Sequence, residues 1–350
     1  MPRYRLIFVP GIMGSSLELI PPGGATPRVV WDGNVFTIFR TIFTEPEVLH
    51  AFTSLRPVDI IQETTIGPVP YQDIYKTLFS FLRNTLNYDG ENLFAFPYDW
   101  RQSVFTEAQR LIDFIDKELP SGDQDIVILG HSLGALVARV AVMTDSAKLI
   151  SKGVAKVIEL APPHLGSSLA LERTLEVWGL TSLRRILGRY LLAVPLFEGL
   201  VLALARSMPS LWQLFPSKKE QILVNNTNPQ DTRAALDWPG WASAVEIMAR
   251  PTAENLHKVI DEIPHRWPGA IEECVVYSRS HWTPYTFPFD PQPPYGIATN
   301  RPIRVRGDRV VWEWSASLHY TPNHKHEVDF YHRIIAGDPK TLSVLQQELQ

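Results

Sequence analysis

A serine framed by glycines lies near the middle of the chain, in Gly130-His131-Ser132-Leu133-Gly134. A serine hydroxyl is a weak nucleophile until a neighbouring base takes its proton, and the base needs a carboxylate to orient it. The flanking residues give the motif its meaning. Asp125-Ile126-Val127-Ile128-Leu129 is an apolar, β-branched run that predicts a buried strand, and Ala135-Leu136-Val137-Ala138-Arg139-Val140 predicts a helix. A strand turning sharply into a helix pushes the corner residue, Ser132, into a strained and exposed position. Glycines two residues away on each side let strand and helix approach. The helix N-terminus then aims N–H groups at whatever the serine attacks.

A turn of this kind is followed in sequence by the acid and then the base, each just past a strand. Asp308 follows Ile303-Arg304-Val305-Arg306-Gly307 and is the expected acid. Four histidines compete for the role of base: His319, His324, His326 and His332. The run Glu327 to Tyr331 reads as the last strand and Pro339 to Leu349 as the last helix, so His332 falls in the loop between them. His326 is expected at the start of that strand, at the far edge of the sheet. His332 is therefore the expected base. Upstream, Arg5 to Val9 predicts a strand that runs into Pro10-Gly11-Ile12-Met13-Gly14. Such a glycine-rich turn can aim a backbone N–H at a developing oxyanion. His131 and His164 adjoin these loops and read as packed or hydrogen-bonded histidines. No His, Cys, Asp and Glu grouping has metal-site spacing, and His324-Lys325-His326 reads as a solvated strand edge. Neither a metal nor a cofactor is expected.

The elements that must position these residues alternate. Tyr71 to Leu86 and Glu107 to Leu119 carry apolar stripes at helical spacing, and Leu93-Phe94-Ala95-Phe96 and Val154 to Leu160 read as strands. The pattern predicts an α/β fold, a mainly parallel sheet with helices on both faces. Residues 21–70 read as long loops with short elements. The rhythm breaks after Gly166, and no strand is predicted from 167 to about 250. The sheet resumes at Glu273 to Tyr277, followed by a turn-rich stretch around Pro284 to Pro294. The expected division is a core of residues 1–166 and 251–350 with a helical cap, or lid, inserted at 167–250. Within the cap, Leu183 to Arg206 is apolar and carries Arg184, Arg185, Arg189 and Arg206 against Glu198. That segment either packs on the sheet or docks on anionic lipid.

The 350 residues are 45% hydrophobic and 20% charged, enough for one large domain or two smaller ones. A net charge of -4 supplies no basic field, so nucleic acid is not an expected partner. The single cysteine, Cys274, excludes an internal disulfide and reads as a core thiol. No basic, apolar leader precedes the first strand and no span is long enough for a bilayer, which predicts a cytoplasmic protein with peripheral membrane contact through the cap. Oligomeric state is not legible.

With these residues in view, the sequence resembles the lecithin:cholesterol acyltransferase family of α/β-hydrolases, which includes lysosomal phospholipase A2. The resemblance rests on Val9-Pro10-Gly11-Ile12-Met13-Gly14-Ser15, Phe96-Pro97-Tyr98-Asp99-Trp100-Arg101, the Ser132 segment and Ala161-Pro162-Pro163-His164-Leu165-Gly166-Ser167. Met208-Pro209-Ser210 with Phe215-Pro216 looks like the family's segment after the lid. It implies an α/β-hydrolase fold and a Ser132, Asp308 and His332 triad, with the N–H groups of Met13 and Leu133 as the oxyanion hole. It also implies Trp31 near the acyl site, and His164 is placed with it as a substrate contact. The expected activity is hydrolysis of acyl esters, lipid or phospholipid. Acyl transfer to an alcohol is the alternative, and a catalytically silent hydrolase fold that binds a ligand is the reading from another class.

Overall fold

A computed structural model describes residues 2–21, 23, 26–51, 53–119, 124–175, 194–237, 252–260, 267–292, 297–298, 302–317 and 323–350. Its centre is a six-stranded sheet built from β1 (Arg5–Val9), β2 (Leu93–Ala95), β3 (Ile126–His131), β4 (Val154–Leu160), β5 (Glu272–Ser278) and β6 (His324–Val328). The strands lie in the order β6-β5-β4-β3-β1-β2, and every neighbouring pair is parallel. A parallel sheet buries both faces, so its inner strands read as continuous apolar runs. Along β1, Ile7 and Val9 enter one core while Leu6 and Phe8 enter the other. The first core takes the apolar faces of α2 (Val104–Asp113) and α3 (Leu133–Ser151). The second takes Leu78, Phe79 and Leu82 of α1 (Lys76–Asn84), with Leu345 and Leu349 of α4 (Pro339–Leu349). The chain leaves β1 toward β2 on one side and returns to β3 on the other. That reversal makes a crevice at the strands' C-terminal ends between β1 and β3.

Several expectations shift. The last strand is His324–Val328, three residues earlier than read, so His326 lies in its middle. His332 lies beyond it, at the head of a short 3₁₀ turn, His332–Gly337, that leads into α4. Residues 167–250 do contain strands. Leu223–Asn225 and Thr232–Arg233 join His281–Phe289 and Ile303–Gly307 in a second, four-stranded sheet. The first two are three and two residues long, too short for a period to register in sequence. His281–Phe289 runs through the stretch read as turns. It carries Pro284 and Pro288, and its register shifts between Pro284 and Thr286. Residues 21–70 hold the helix Val35–Thr44 and two strands, Arg28–Trp31 and Arg56–Ile60, that flank Ser15–Leu19 in a three-stranded antiparallel sheet.

The described part of the predicted cap shares the first core. Leu204, Met208, Trp212 and Phe215 pack there, and Ser210 Oγ donates to the Trp100 carbonyl at 2.6 Å. Arg184, Arg185 and Arg189 lie outside the described residues. Among the described residues, no helix is long and apolar enough to cross a membrane. Cys274 is buried in β5.

Candidate active site

Ser132 lies between β3 and α3, capping the helix with φ 53° and ψ −121°, a conformation an L-residue adopts only when its surroundings enforce it. The neighbouring glycines leave room for the turn that holds it. A Cβ on Gly134 would lie 2.3 Å from the carbonyl oxygens of Val9 and Pro10, and one on Gly130 would lie 2.6 Å from the Ala135 Cα. No other residue type fits at either position without moving backbone.

The three residues expected to work together do meet. Ser132 Oγ lies 2.8 Å from His332 Nε2, and His332 Nδ1 lies 2.7 Å from Asp308 Oδ2. A carboxylate only accepts, so Nδ1 carries the proton and Nε2 is left to accept from the serine hydroxyl. Asp308 is fully buried, and its Oδ1 accepts from the N–H groups of Val310 at 2.9 Å and Val311 at 2.7 Å. Its backbone carbonyl accepts from the His332 N–H at 3.1 Å, so the two loops are clamped at both main chain and side chain. The strand that delivers Asp308, Ile303–Gly307, belongs to the second sheet, not the central one.

Met13 sits in the turn after β1 with φ 64°, and Leu133 is the first residue of α3. Neither backbone N–H has an acceptor among the described residues. Both border the β1–β3 crevice, as donors for an oxyanion must. Trp31 is mostly buried against Trp100, with ring centroids 4.9 Å apart, and its indole N–H donates to the Met13 carbonyl at 3.3 Å. It braces the Met13 turn. His164 is completely buried, with Nε2 3.0 Å from Glu159, which also holds Arg139.

Sequence reading missed a second buried chain of hydrogen bonds. The Gly11 N–H donates to the Tyr75 hydroxyl at 2.9 Å, and that hydroxyl lies 2.7 Å from His131 Nδ1. His131 Nε2 lies 3.0 Å from the His332 carbonyl. The carbonyl only accepts, so Nε2 carries the proton and Nδ1 accepts from Tyr75. The chain thus ties the Met13 turn to the backbone of His332. Tyr75 is 56 residues from His131, and no local pattern marks the pair.

Both inner histidines are held neutral. Burial, then the charge of His332, lowers the His131 pKa to about 3, against the raising effect of its hydrogen bond to the His332 carbonyl. Burial and Arg139 lower that of His164 to about 4, although Glu159 pulls the other way. The unfolded chain takes these protons near pH 6.5, so it binds more protons than the folded one below that value. Stability should therefore be full above about pH 6.5 and decline as pH falls toward 4. The slope is at most about 1.4 kcal/mol per pH unit per histidine. Urea unfolding at pH 7, 6 and 5 measures it; a midpoint that rises on acidification would contradict the neutral tautomers.

Cys274, His326 and Glu348 place potential ligand atoms within 4.8 Å of one another. Glu348 already accepts from His324, His326 and the Lys156 ammonium, and that neighbouring positive charge opposes a metal ion.

The crevice, the strained serine at the end of the third strand and the parallel sheet define an α/β-hydrolase. One chain of the Tle4–Tli4 complex has this fold: it is 13% identical with a TM-score of 0.62, and the match covers 97% of this chain and 96% of that one. Other solved structures that match include the Bacillus licheniformis lipase BlEst2 (14% identical, 100% and 93% covered, TM-score 0.45). Lipase 1 from Pelosinus fermentans also matches (11% identical, 100% and 99% covered, TM-score 0.40). Residues 45–255 match the model of the lecithin:cholesterol acyltransferase family, and the chain belongs to that family. A comparison with curated protein sequences found no match.

Proposed function

We propose that the protein is a serine esterase or lipase that cleaves acyl esters through an acyl-enzyme. The observation that carries this reading is the line from Ser132 Oγ to His332 Nε2 at 2.8 Å and from His332 Nδ1 to Asp308 at 2.7 Å. In this reading His332 takes the Ser132 proton as Oγ attacks the ester carbonyl. Asp308 steadies the imidazolium, and the Met13 and Leu133 N–H groups receive the oxyanion. The proton passes to the departing alcohol, and water then releases the acyl group. The division into a core and an inserted lid over 167–250 belongs to the same proposal, as does a lipid or phospholipid as the ester.

Membership in an acyltransferase family favours a second outcome from the same acyl-enzyme, transfer to an alcohol. Product analysis on a short-chain phospholipid, with and without an added long-chain alcohol, separates the two. Free fatty acid alone means hydrolysis; a new ester means transfer. A folded protein that neither turns over esters nor reacts with a fluorophosphonate would be a binding protein on this fold, and the proposal would fall.

A further inference from the structure

Arg309 has φ 80°, in the left-handed region that favours glycine. A long side chain keeps such a backbone only where its surroundings fix it, and residues of this kind gather at functional sites. Contacts at both ends fix Arg309. Its backbone N–H donates to Thr283 Oγ1 at 2.9 Å. Its guanidinium carbon lies 4.1 Å from the centre of the Tyr331 ring, and Nη2 donates to the Tyr331 hydroxyl at 3.1 Å. Tyr331 also stacks on His281, with ring centroids 4.1 Å apart and an angle of 25° between the planes. Among the described residues, no carboxylate pairs with Arg309, so the ring is what its charge meets.

The two stacked residues flank the acid and the base. Arg309 follows Asp308, and Tyr331 precedes His332. The two loops therefore touch at three places: the Arg309–Tyr331 stack, the His332 N–H on the Asp308 carbonyl, and His332 Nδ1 on Asp308 Oδ2. Only the first of these is made by exposed side chains. Arg304 and Arg306 line the same cavity wall beside Asp308 and His332. Arg306 stacks instead on Trp282, at 4.5 Å, and Arg304 is exposed on the same strand.

We propose that Arg309 and Tyr331 are positioning residues for the Asp308–His332 pair. Their stack locks the loop that carries the acid to the loop that carries the base, and the left-handed backbone of Arg309 is what sets its guanidinium on that ring. This rests on the reading of Ser132, His332 and Asp308 given above. In that reading His332 takes the Ser132 proton and gives it to the departing alcohol oxygen, while Asp308 keeps the imidazole aimed. A slide of one loop against the other would move His332 Nε2 away from Ser132 Oγ without touching a bound ester, so the step that suffers is the chemical one.

Arg309→Gly tests this on a soluble, neutral ester, p-nitrophenyl butyrate, because it removes the guanidinium and relieves the left-handed backbone at once. Its kcat should fall roughly five- to tenfold with KM within about twofold of the parent. Its melting temperature should stay within about 2 °C of the parent or rise, since glycine meets no steric cost at this φ. A merely structural role would lower the melting temperature and activity together. Arg309→Lys keeps a cation at the ring without the planar stack and should recover part of the lost kcat. Tyr331→Ala should lower kcat at least as far as Arg309→Gly, and combining the two should cost nothing further, because the same stack is lost in both. Arg304→Gln removes one positive charge from the same wall and should keep parental constants. An unchanged kcat in Arg309→Gly, a loss that tracks the melting temperature, a loss that Arg304→Gln reproduces, or losses that multiply in the double variant would overturn the positioning role and leave the esterase reading intact. A parent protein that neither turns over the ester nor reacts with a fluorophosphonate overturns both.

Discussion

Ser132→Ala should reduce hydrolysis of a soluble short-chain ester by about 10⁴-fold or more and abolish fluorophosphonate labelling, with the fold intact. The reasoning is structural as well as chemical. Ser132 stands just past β3 with its hydroxyl against His332 Nε2, and among the described residues no other hydroxyl hydrogen-bonds to that nitrogen. Alanine has the same backbone constraints at φ 53° that serine meets and leaves the Gly130 and Gly134 contacts unchanged. Residual turnover would come from binding and the oxyanion donors. Near-parental turnover by a folded Ser132→Ala protein would end the serine-hydrolase proposal.

His332→Ala should be as damaging as Ser132→Ala, because nucleophile and base act as one unit and removing either costs nearly as much as removing both. His326→Ala and His324→Ala should be mild in turnover. Both lie on β6, where His324 Nδ1 and His326 Nε2 contact Glu348 of α4 at 2.7 and 2.8 Å. Their loss should show in the melting temperature instead. Steady-state kinetics of the three variants on one soluble ester decides the matter. An inactive His326→Ala beside an active His332→Ala would mean that the base has been misassigned.

The serine turn was legible because everything that makes it is contiguous. An apolar strand, two glycines and an apolar helix lie within about twenty residues. The inner strands were legible for a related reason: buried on both faces, they must be apolar throughout. The start of the edge strand was not. His324-Lys325-His326 reads as the solvated edge of a strand expected at Glu327 to Tyr331. It becomes a strand because its backbone pairs with Cys274 to Val276 and because Glu348 accepts from both histidines across the helix–sheet contact.

By itself, the sequence determined the order of the central sheet's strands and the helices between them, the serine at the sharp turn and an acid followed by a histidine downstream. These are properties of local period and steric need, and neighbouring residues settle them. The structure puts His332, expected from its place past the last strand, against Ser132, and tertiary structure alone decided that the strand carrying Asp308 belongs to a second sheet. It also decided that His164 is buried beside Arg139 and Glu159, that Tyr75 joins the Met13 turn to His332 through His131, and that three arginines gather beside Asp308 and His332. The physical reason is distance along the chain. Asp308 and Ser132 lie 24 and 200 residues from His332, and hydrogen bonds of under 3 Å at such separations leave no periodic mark on the residues between.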